Sequence, residues 1–431
     1  MLTLPNTARR VVTSVPFRLA VAAAIVVWHV ATTISFAYER YDAHPFNSAP
    51  GQVPTFANPA RDNYPLNGKR LIVSRWDAEH YLGLSMRGYS QCPHRTLVPD
   101  DMRGPICDVA FYPGYPFLGY LVRTATGLPA DYALWSVSLL AAFALLFLWT
   151  DRTVVSALGI GGAYASLLCF SLFPPACYLV LMMAEACTAL GMMGAFDALA
   201  RKQYLLAAVA AGFAGAMRLS GVAAEAGCIL ALVLSAWVDP PRSTWAWLRR
   251  GAAVPVAAWG SLAVSGYHTW RFGDPLLYLH GHRASFRHEG GFELLLHPRT
   301  ESLVHGMDNI VHDLVWAGAL LLLFLMGHRQ ALRKFVPPAQ LYAYALIAIV
   351  YCVSAAGSMD LFNLLGMSRY VFVAAPAFLA LGALFSSRPL ALGAWLLATS
   401  WHLREVDRCV YMGDIGAETL RKCNLTQWID R

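Results

Sequence analysis

The chain predicts an all-α fold: a polytopic bundle of transmembrane helices with a large first extracytoplasmic loop that contains short interfacial helices. Three observations lead there. The 431 residues are 57% hydrophobic and only 14% charged, where soluble domains carry roughly a quarter charged residues. Runs such as Leu19 to Phe36, Tyr132 to Trp149 and Ile310 to Met326 are nearly free of charge, and each approaches the ~20 residues a helix needs to span hydrocarbon. Basic residues gather between such runs, at Asp151-Arg152, Arg201-Lys202, Arg242 to Arg250, His328 to Lys334 and Arg388, as they do in cytoplasmic loops. Hydrocarbon satisfies backbone groups only in helices or closed barrels, and runs this long mean helices.

Taken in order, spans are expected at 17–37, 132–149, 154–173, 176–200, 204–218, 222–238, 251–267, 310–327, 338–356, 370–385 and 389–403. That is about eleven crossings, with the N-terminus inside and the C-terminal tail outside. The first run follows Arg9, Arg10 and Arg18. It is longer than a signal-peptide core and lacks a clean small-x-small cleavage site, so a retained helix is expected. The segment from Ala110 to Thr126 holds Pro113, Gly114, Pro116 and Gly119. It reads as a re-entrant or interfacial piece packed on protein, the alternative being a twelfth crossing that returns the tail inside. Three polar segments then face outward, at 38–109, 268–309 and 358–369. No repeat or low-complexity tract divides the chain, so residues 1–431 form one membrane domain.

The net charge of +7 reflects basic cytoplasmic loops, so no nucleic-acid partner is inferred. The nine cysteines show no CxxC or Cys/His ligand spacing, so no zinc or other metal site is expected. Cys169, Cys177, Cys187, Cys228 and Cys352 lie in apolar runs and suit small core residues. Cys92, Cys107, Cys409 and Cys423 lie in polar segments. In an oxidising compartment Cys92 and Cys107 are the expected pair.

The first outer loop contains the stretch from Ser74 to Tyr89, in which Arg75-Trp76-Asp77-Ala78 leads into a segment suited to a short helix over 78–86. Capping that helix is one role for Asp77. The stretch Arg-Trp-Asp-Ala, then an aromatic, then Arg87-Gly88-Tyr89 resembles the PIG-V family, the second mannosyltransferase of GPI-anchor synthesis, and its bacterial relatives. Further elements follow in the family's order. Cys107 to Pro116 resembles an aromatic-aromatic-Pro-x-x-Pro element, and Pro174-Pro175 with Ala184-Glu185 a proline, then small-Glu pattern. Ala216 to Gly221 resembles an Arg-Ser-x-Gly block, Gly273 to Leu276 a Gly-Asp-Pro-Leu stretch, and Ser368-Arg369-Tyr370 with Pro376 a late Arg-Tyr element. The resemblance runs from Ser74 to Phe378. Ala184 stands where Ser is common, Leu219 separates Arg218 from Ser220, and residues 39–69 have no counterpart.

The resemblance implies a GT-C fold and a glycosyltransferase. It implies a polyprenyl- or dolichyl-phosphate sugar as substrate, with mannose favoured, and an active site facing the periplasm, the extracellular side or the ER lumen. The acceptor would be a glycolipid, a glycan or a protein, membrane lipids would be the surroundings, and no cofactor would be needed. It assigns the catalytic base to Asp77. An inverting displacement needs such a base within hydrogen-bond reach of the acceptor hydroxyl. The departing lipid phosphate needs fixed donors, and Arg218 and Arg369 are the first candidates because the guanidinium fork fits phosphate. Snorkelling to the interface is the alternative for both. Arg75 is a weaker candidate, since it can pair with a loop carboxylate.

Glu185, about ten residues into an expected apolar helix, has three roles open to it: binding donor hydroxyls, pairing with Arg218, or bridging helices. Glu225 shares that ambiguity without the motif support. His280, His282 and Arg283 in the second outer loop are candidates for sugar or phosphate contact. Trp76, Tyr81, Phe111, Tyr112 and Tyr115 are candidates for lining the substrate path, and packing of a Pro-rich element explains the last three equally well. A multi-pass transporter or lipid flippase is the rival reading, in which Glu185, Arg218 and Glu225 form a substrate or proton path. A degenerate accessory subunit is the second rival.

Overall fold

The computed structural model describes residues 10–43, 77–89, 109, 111–241, 243–280, 300–356 and 367–412. Among them the chain is helical and holds no strand. In order, the helices are α1 (Val15–Ala43), α2 (Asp77–Arg87), α3 (Gly114–Thr126), α4 (Ala130–Trp149) and α5 (Arg152–Ser171). They continue as α6 (Glu185–Ala200), α7 (Tyr204–Met217), α8 (Val222–Val238), α9 (Thr244–Ala257) and α10 (Trp259–Phe272). The last are α11 (Thr300–Leu332), α12 (Pro337–Ala356), α13 (Met367–Phe372), α14 (Ala377–Phe385) and α15 (Pro389–Met412).

Five helical stretches of the described residues are long and apolar enough to cross a membrane: Val15–Ser35, Ala130–Trp149, Arg152–Ser171, Leu219–Val238 and Val315–Leu332. Tyr204–Met217 and Pro337–Cys352 are shorter apolar helices. Leu140, Leu262, Leu322, Leu390 and Leu397 lie exposed on the outer surface while Glu185, Glu225, His29 and His268 are buried. Leucine outside and charge inside suits a hydrocarbon surrounding better than water.

Three expected spans are broken. The segment 176–200 is a 3-10 helix at Pro174–Leu179, an irregular stretch and then α6. Glu185 is therefore the first residue of a helix and not a mid-helix charge, as its position in an unbroken apolar run had implied. The paired prolines set the tight turn, and the N-terminal end of α6 favours a carboxylate. The segment 251–267 breaks at Ala258 between α9 and α10, just past Pro255. The segment 370–385 breaks between α13 and α14 ahead of Pro376. Within the Ala110 to Thr126 segment, expected to be a re-entrant or interfacial piece, Gly114–Thr126 forms the 13-residue helix α3, too short for the ~20 residues of a span. Cys169, Cys177, Cys187 and Cys228 are buried as expected, whereas Cys352 is exposed on α12. Cys92 and Cys107 lie outside the described residues.

A partner group satisfies the backbone at one of these breaks. Glu225, buried on α8, accepts from the Ser261 backbone N–H at 2.9 Å and from the Ser261 hydroxyl. It thereby satisfies an amide that the α9–α10 break leaves without an intrahelical partner. This gives Glu225 a structural task at the junction. The same junction is packed backbone to backbone. A Cβ on Gly260 would lie 1.9 Å from the Gly212 carbonyl oxygen, whereas one on Gly251 would meet nothing within 4 Å. Gly260→Ala is therefore expected to destabilise the protein by about 1–3 kcal/mol, the range for overpacking. Gly251→Ala should be neutral or stabilising, since Ala is the better helix former. Thermal unfolding of both variants in detergent checks the contrast.

At the far end of α6, Arg201 pairs with Asp197 at 2.9 Å and with Asp151, and Asp151 also meets Arg18 at 3.2 Å. Lys202 pairs with Asp239 at 2.7 Å. The Asp151-Arg152 and Arg201-Lys202 turns thus share one end of the bundle. Glu185 and Ala200 bound a 16-residue helix, so Glu185 lies about 24 Å from that basic belt at 1.5 Å per residue.

Candidate functional site

At the opposite end from the belt, four chain discontinuities converge. Each places one ionisable side chain. Asp77 begins α2, and Glu185 begins α6. Arg218 sits in extended conformation (φ −161, ψ 155) between α7 and the 3-10 turn Leu219–Gly221. Arg369 lies in the six-residue α13.

Aromatic packing anchors these short pieces. Phe372 of α13 stacks on Phe170 at 4.5 Å, and Phe170 stacks on Trp149 at 4.5 Å. On α2, Tyr81 meets Phe111 edge-on at 5.6 Å and Tyr115 at 5.1 Å. Tyr115 donates to the Leu134 carbonyl at 2.9 Å and lies 2.7 Å from the Ser138 hydroxyl. Ser138 in turn donates to the Met183 carbonyl at 3.1 Å, inside the irregular stretch before α6. Gly114 lets α3 start against α7. A Cβ there would sit 2.3 Å from the Ala216 carbonyl oxygen, two residues before Arg218.

The four charges form one linear chain. Arg369 donates through Nη2 to Asp77 Oδ2 at 2.7 Å and through Nε to Glu185 Oε1. Arg218 donates through Nη1 to the same Glu185 oxygen. Arg218 also lies over the Tyr370 ring at 4.7 Å, and Arg369 over the Tyr178 ring at 4.5 Å. Arg369 Nη2 is 3.3 Å from the Met183 sulfur. Two arginines face two carboxylates, so the cluster is neutral overall. Among the described residues, both arginines that are candidates for meeting a departing phosphate already hold a carboxylate.

Access is graded along the chain. The Asp77 side chain is 25% exposed, those of Arg369 and Arg218 9% and 10%, and that of Glu185 0%. Burial opposes the charged form of Asp77, yet Arg369 and Arg218 outweigh it and hold the carboxyl below its ordinary value. Asp77 is therefore an anion clamped by cations, open on one side. Behind it two buried oxygens, Glu185 Oε2 and Ser220 Oγ, have no hydrogen-bond partner among the described residues. Orphaned buried polar atoms are costly, by about 1–3 kcal/mol each, and such costs collect at functional sites.

No family model matches the chain, and no curated protein matches it significantly. The PIG-V resemblance accordingly rests on the six collinear motifs. Four residues those motifs singled out, Asp77, Glu185, Arg218 and Arg369, are the ones the fold joins. Of the three roles open to Glu185, pairing with Arg218 is realised, and pairing with Arg369 is added.

The other candidates fare differently. His280 is exposed, and its Nδ1 lies 2.6 Å from Asp274 Oδ2 in a local turn, with no bond to the four-charge chain. Phe111, Tyr112 and Tyr115 are buried. Tyr112 packs edge-on against Tyr278 at 5.0 Å, and the Tyr115 hydroxyl is fully committed. For this trio packing is the role seen. Tyr81 is buried beside the cluster. Arg75, Trp76, His282 and Arg283 lie outside the described residues.

Reading the motifs missed His80, which stacks on Phe111 at 4.3 Å and lies close enough to Asp77 to act on its charge. It also missed Tyr178, Met183 and Ser220. Tyr178 carries the one local signal, following the paired prolines by three positions.

Proposed function

We propose that this chain is a membrane glycosyltransferase of the GT-C type. It would transfer a hexose, mannose first, from a polyprenyl- or dolichyl-phosphate donor to an extracytoplasmic acceptor with inversion. The observation that carries this reading is the chain Asp77–Arg369–Glu185–Arg218, one accessible carboxylate backed by two guanidinium groups at a junction of broken helices.

In this reading Asp77 takes the proton from the acceptor hydroxyl as that oxygen bonds to the anomeric carbon. The bond from anomeric carbon to phosphate oxygen breaks, and its electron pair leaves with the lipid phosphate. Arg369 and Arg218 meet the charge that grows there. Attack opposite a β-linked phosphate yields an α-glycoside. The basic belt about 24 Å away fits an inside position, which supports an outer location for Asp77. Donor and acceptor classes follow from the PIG-V resemblance.

Broken helices around a buried ion pair also suit a secondary transporter. One experiment separates the two readings. Membranes containing the protein are supplied with radiolabelled polyprenyl-phosphate mannose or glucose, and the products are analysed by mass spectrometry. The transferase reading expects a new glycoside from one donor. Protein-dependent flux of label across sealed vesicles, with no glycoside from any donor, would overturn it.

A further inference from the structure

Arg369 is the hinge of the charged cluster. Its Nε and Nη2 hold different carboxylates, so it joins the accessible Asp77 to the buried Glu185. Any anion that enters from the open side meets Asp77 first and finds the guanidinium Nη2 already taken. A phosphodiester with one negative charge offers the same acceptor geometry as the carboxylate it would replace. The Glu185 contact, fully buried, need not break, because it uses the other nitrogen.

We propose that an anionic ligand displaces Asp77 from Arg369, so that the carboxylate is released to accept a proton only after the anion is bound. This rests on the transferase reading and adds an order to it: donor first, acceptor second. Arg369 is shared in turn by base and phosphate. Before the donor binds, Asp77 is a weak base held by its cation. After binding, it faces an anion in place of a cation and becomes a stronger one. When the lipid phosphate leaves, Arg369 returns to Asp77 and the captured proton is expelled to water. Futile proton transfer in the empty enzyme is thereby suppressed.

The groups acting on Asp77 are Arg369 and Arg218 from the elements packed against it, Glu185 behind Arg369, and His80 and Tyr81 on its own helix. All remain when Asp77 is changed to Asn, so that variant isolates the one carboxylate. Linkage fixes the sign. The ligand-free carboxyl lies below its ordinary value, and the ligand raises it. Protons and ligand therefore favour one another: affinity climbs as pH falls from 7 through the raised value and levels off below the depressed one.

The test uses the full chain in detergent and a polyprenyl methyl phosphodiester, which keeps one negative charge across pH 4 to 7. Wild-type affinity should strengthen on acidification by up to tenfold per pH unit within that window. Asp77→Asn should bind about tenfold or more tighter than wild type at pH 7 and lose the slope, because a cation shifts a carboxylate by roughly 1–3 pH units and linkage is reciprocal. Calorimetry of the wild type in two buffers of different ionisation enthalpy reads the same event without a variant, as net proton uptake on binding near pH 5. Binding with no uptake, or with an identical slope in Asp77→Asn, would overturn the exchange while leaving the transferase reading intact. Failure of the phosphodiester to bind either protein would overturn both.

Discussion

Asp77→Asn is expected to lower hexose transfer by about a hundredfold to ten-thousandfold, the range a positioned general base supplies. Asn is isosteric and keeps an oxygen that can accept from Arg369 Nη2, now 2.7 Å from Asp77 Oδ2. It cannot take a proton from an acceptor hydroxyl. The change lies in the first turn of α2, on a side chain 25% exposed, so protein abundance in membranes should be unchanged. Radiolabelled transfer, normalised to immunoblotted protein, checks both parts. A variant as active as wild type would remove Asp77 from the chemistry. Retained vesicle flux alongside absent transfer in both proteins would favour the transporter.

The largest effect on stability is expected at Glu185. It is fully buried, and its Oε1 accepts from both Arg218 and Arg369. Glu185→Ala leaves Arg218 without its carboxylate and Arg369 with only Asp77. Breaking a buried pair by removing one partner costs about 3–5 kcal/mol, a large share of the stability of any domain. Low abundance and a markedly lower unfolding temperature in detergent are the expected readouts. Glu185→Gln keeps an acceptor oxygen and should fall between. Adding Arg218→Met to Glu185→Leu should recover part of the loss, because an apolar pair can replace a buried ionic one. No recovery would mean that Arg218 is held mainly by its stacking on Tyr370, 4.7 Å from the guanidinium carbon.

The regular elements were legible wherever hydrophobicity alone decides. The apolar run to Trp149 becomes α4 within two residues of the expected start, and Tyr204–Met217 and Val222–Val238 follow suit. Helix ends made by distant partners were not legible. Pro255 is a local cue to the break at Ala258, but the Ser261 amide there is satisfied by Glu225, 36 residues upstream, and no local pattern encodes that bond. Pro376 and the Pro174-Pro175 pair were visible but were read as motif positions and not as interruptions. The site shows the same division. Each of its four charges could be named: Glu185, Arg218 and Arg369 because a charge in or beside an apolar span is expensive and therefore conspicuous, and Asp77, in a polar loop, only through the Arg-Trp-Asp-Ala motif. Their pattern of pairing could not, since Asp77 and Arg369 are 292 residues apart. Neutrality was hidden for the same reason: reading arginines one by one suggests a cation pocket, and only their partners reveal the balance.

The span of that pairing bears on how the protein is made. Glu185 and Arg218 are only 33 residues apart and can neutralise one another as soon as α6 and α7 emerge. Arg369 comes 184 residues after Glu185, roughly 10–40 s later at ordinary translation speed. Until then Asp77 lacks the guanidinium that donates to it, and Arg218 alone faces both acids. Nascent chains arrested before α13 should consequently carry an uncompensated acid where the finished protein is neutral, and cells should clear them faster than chains arrested after it.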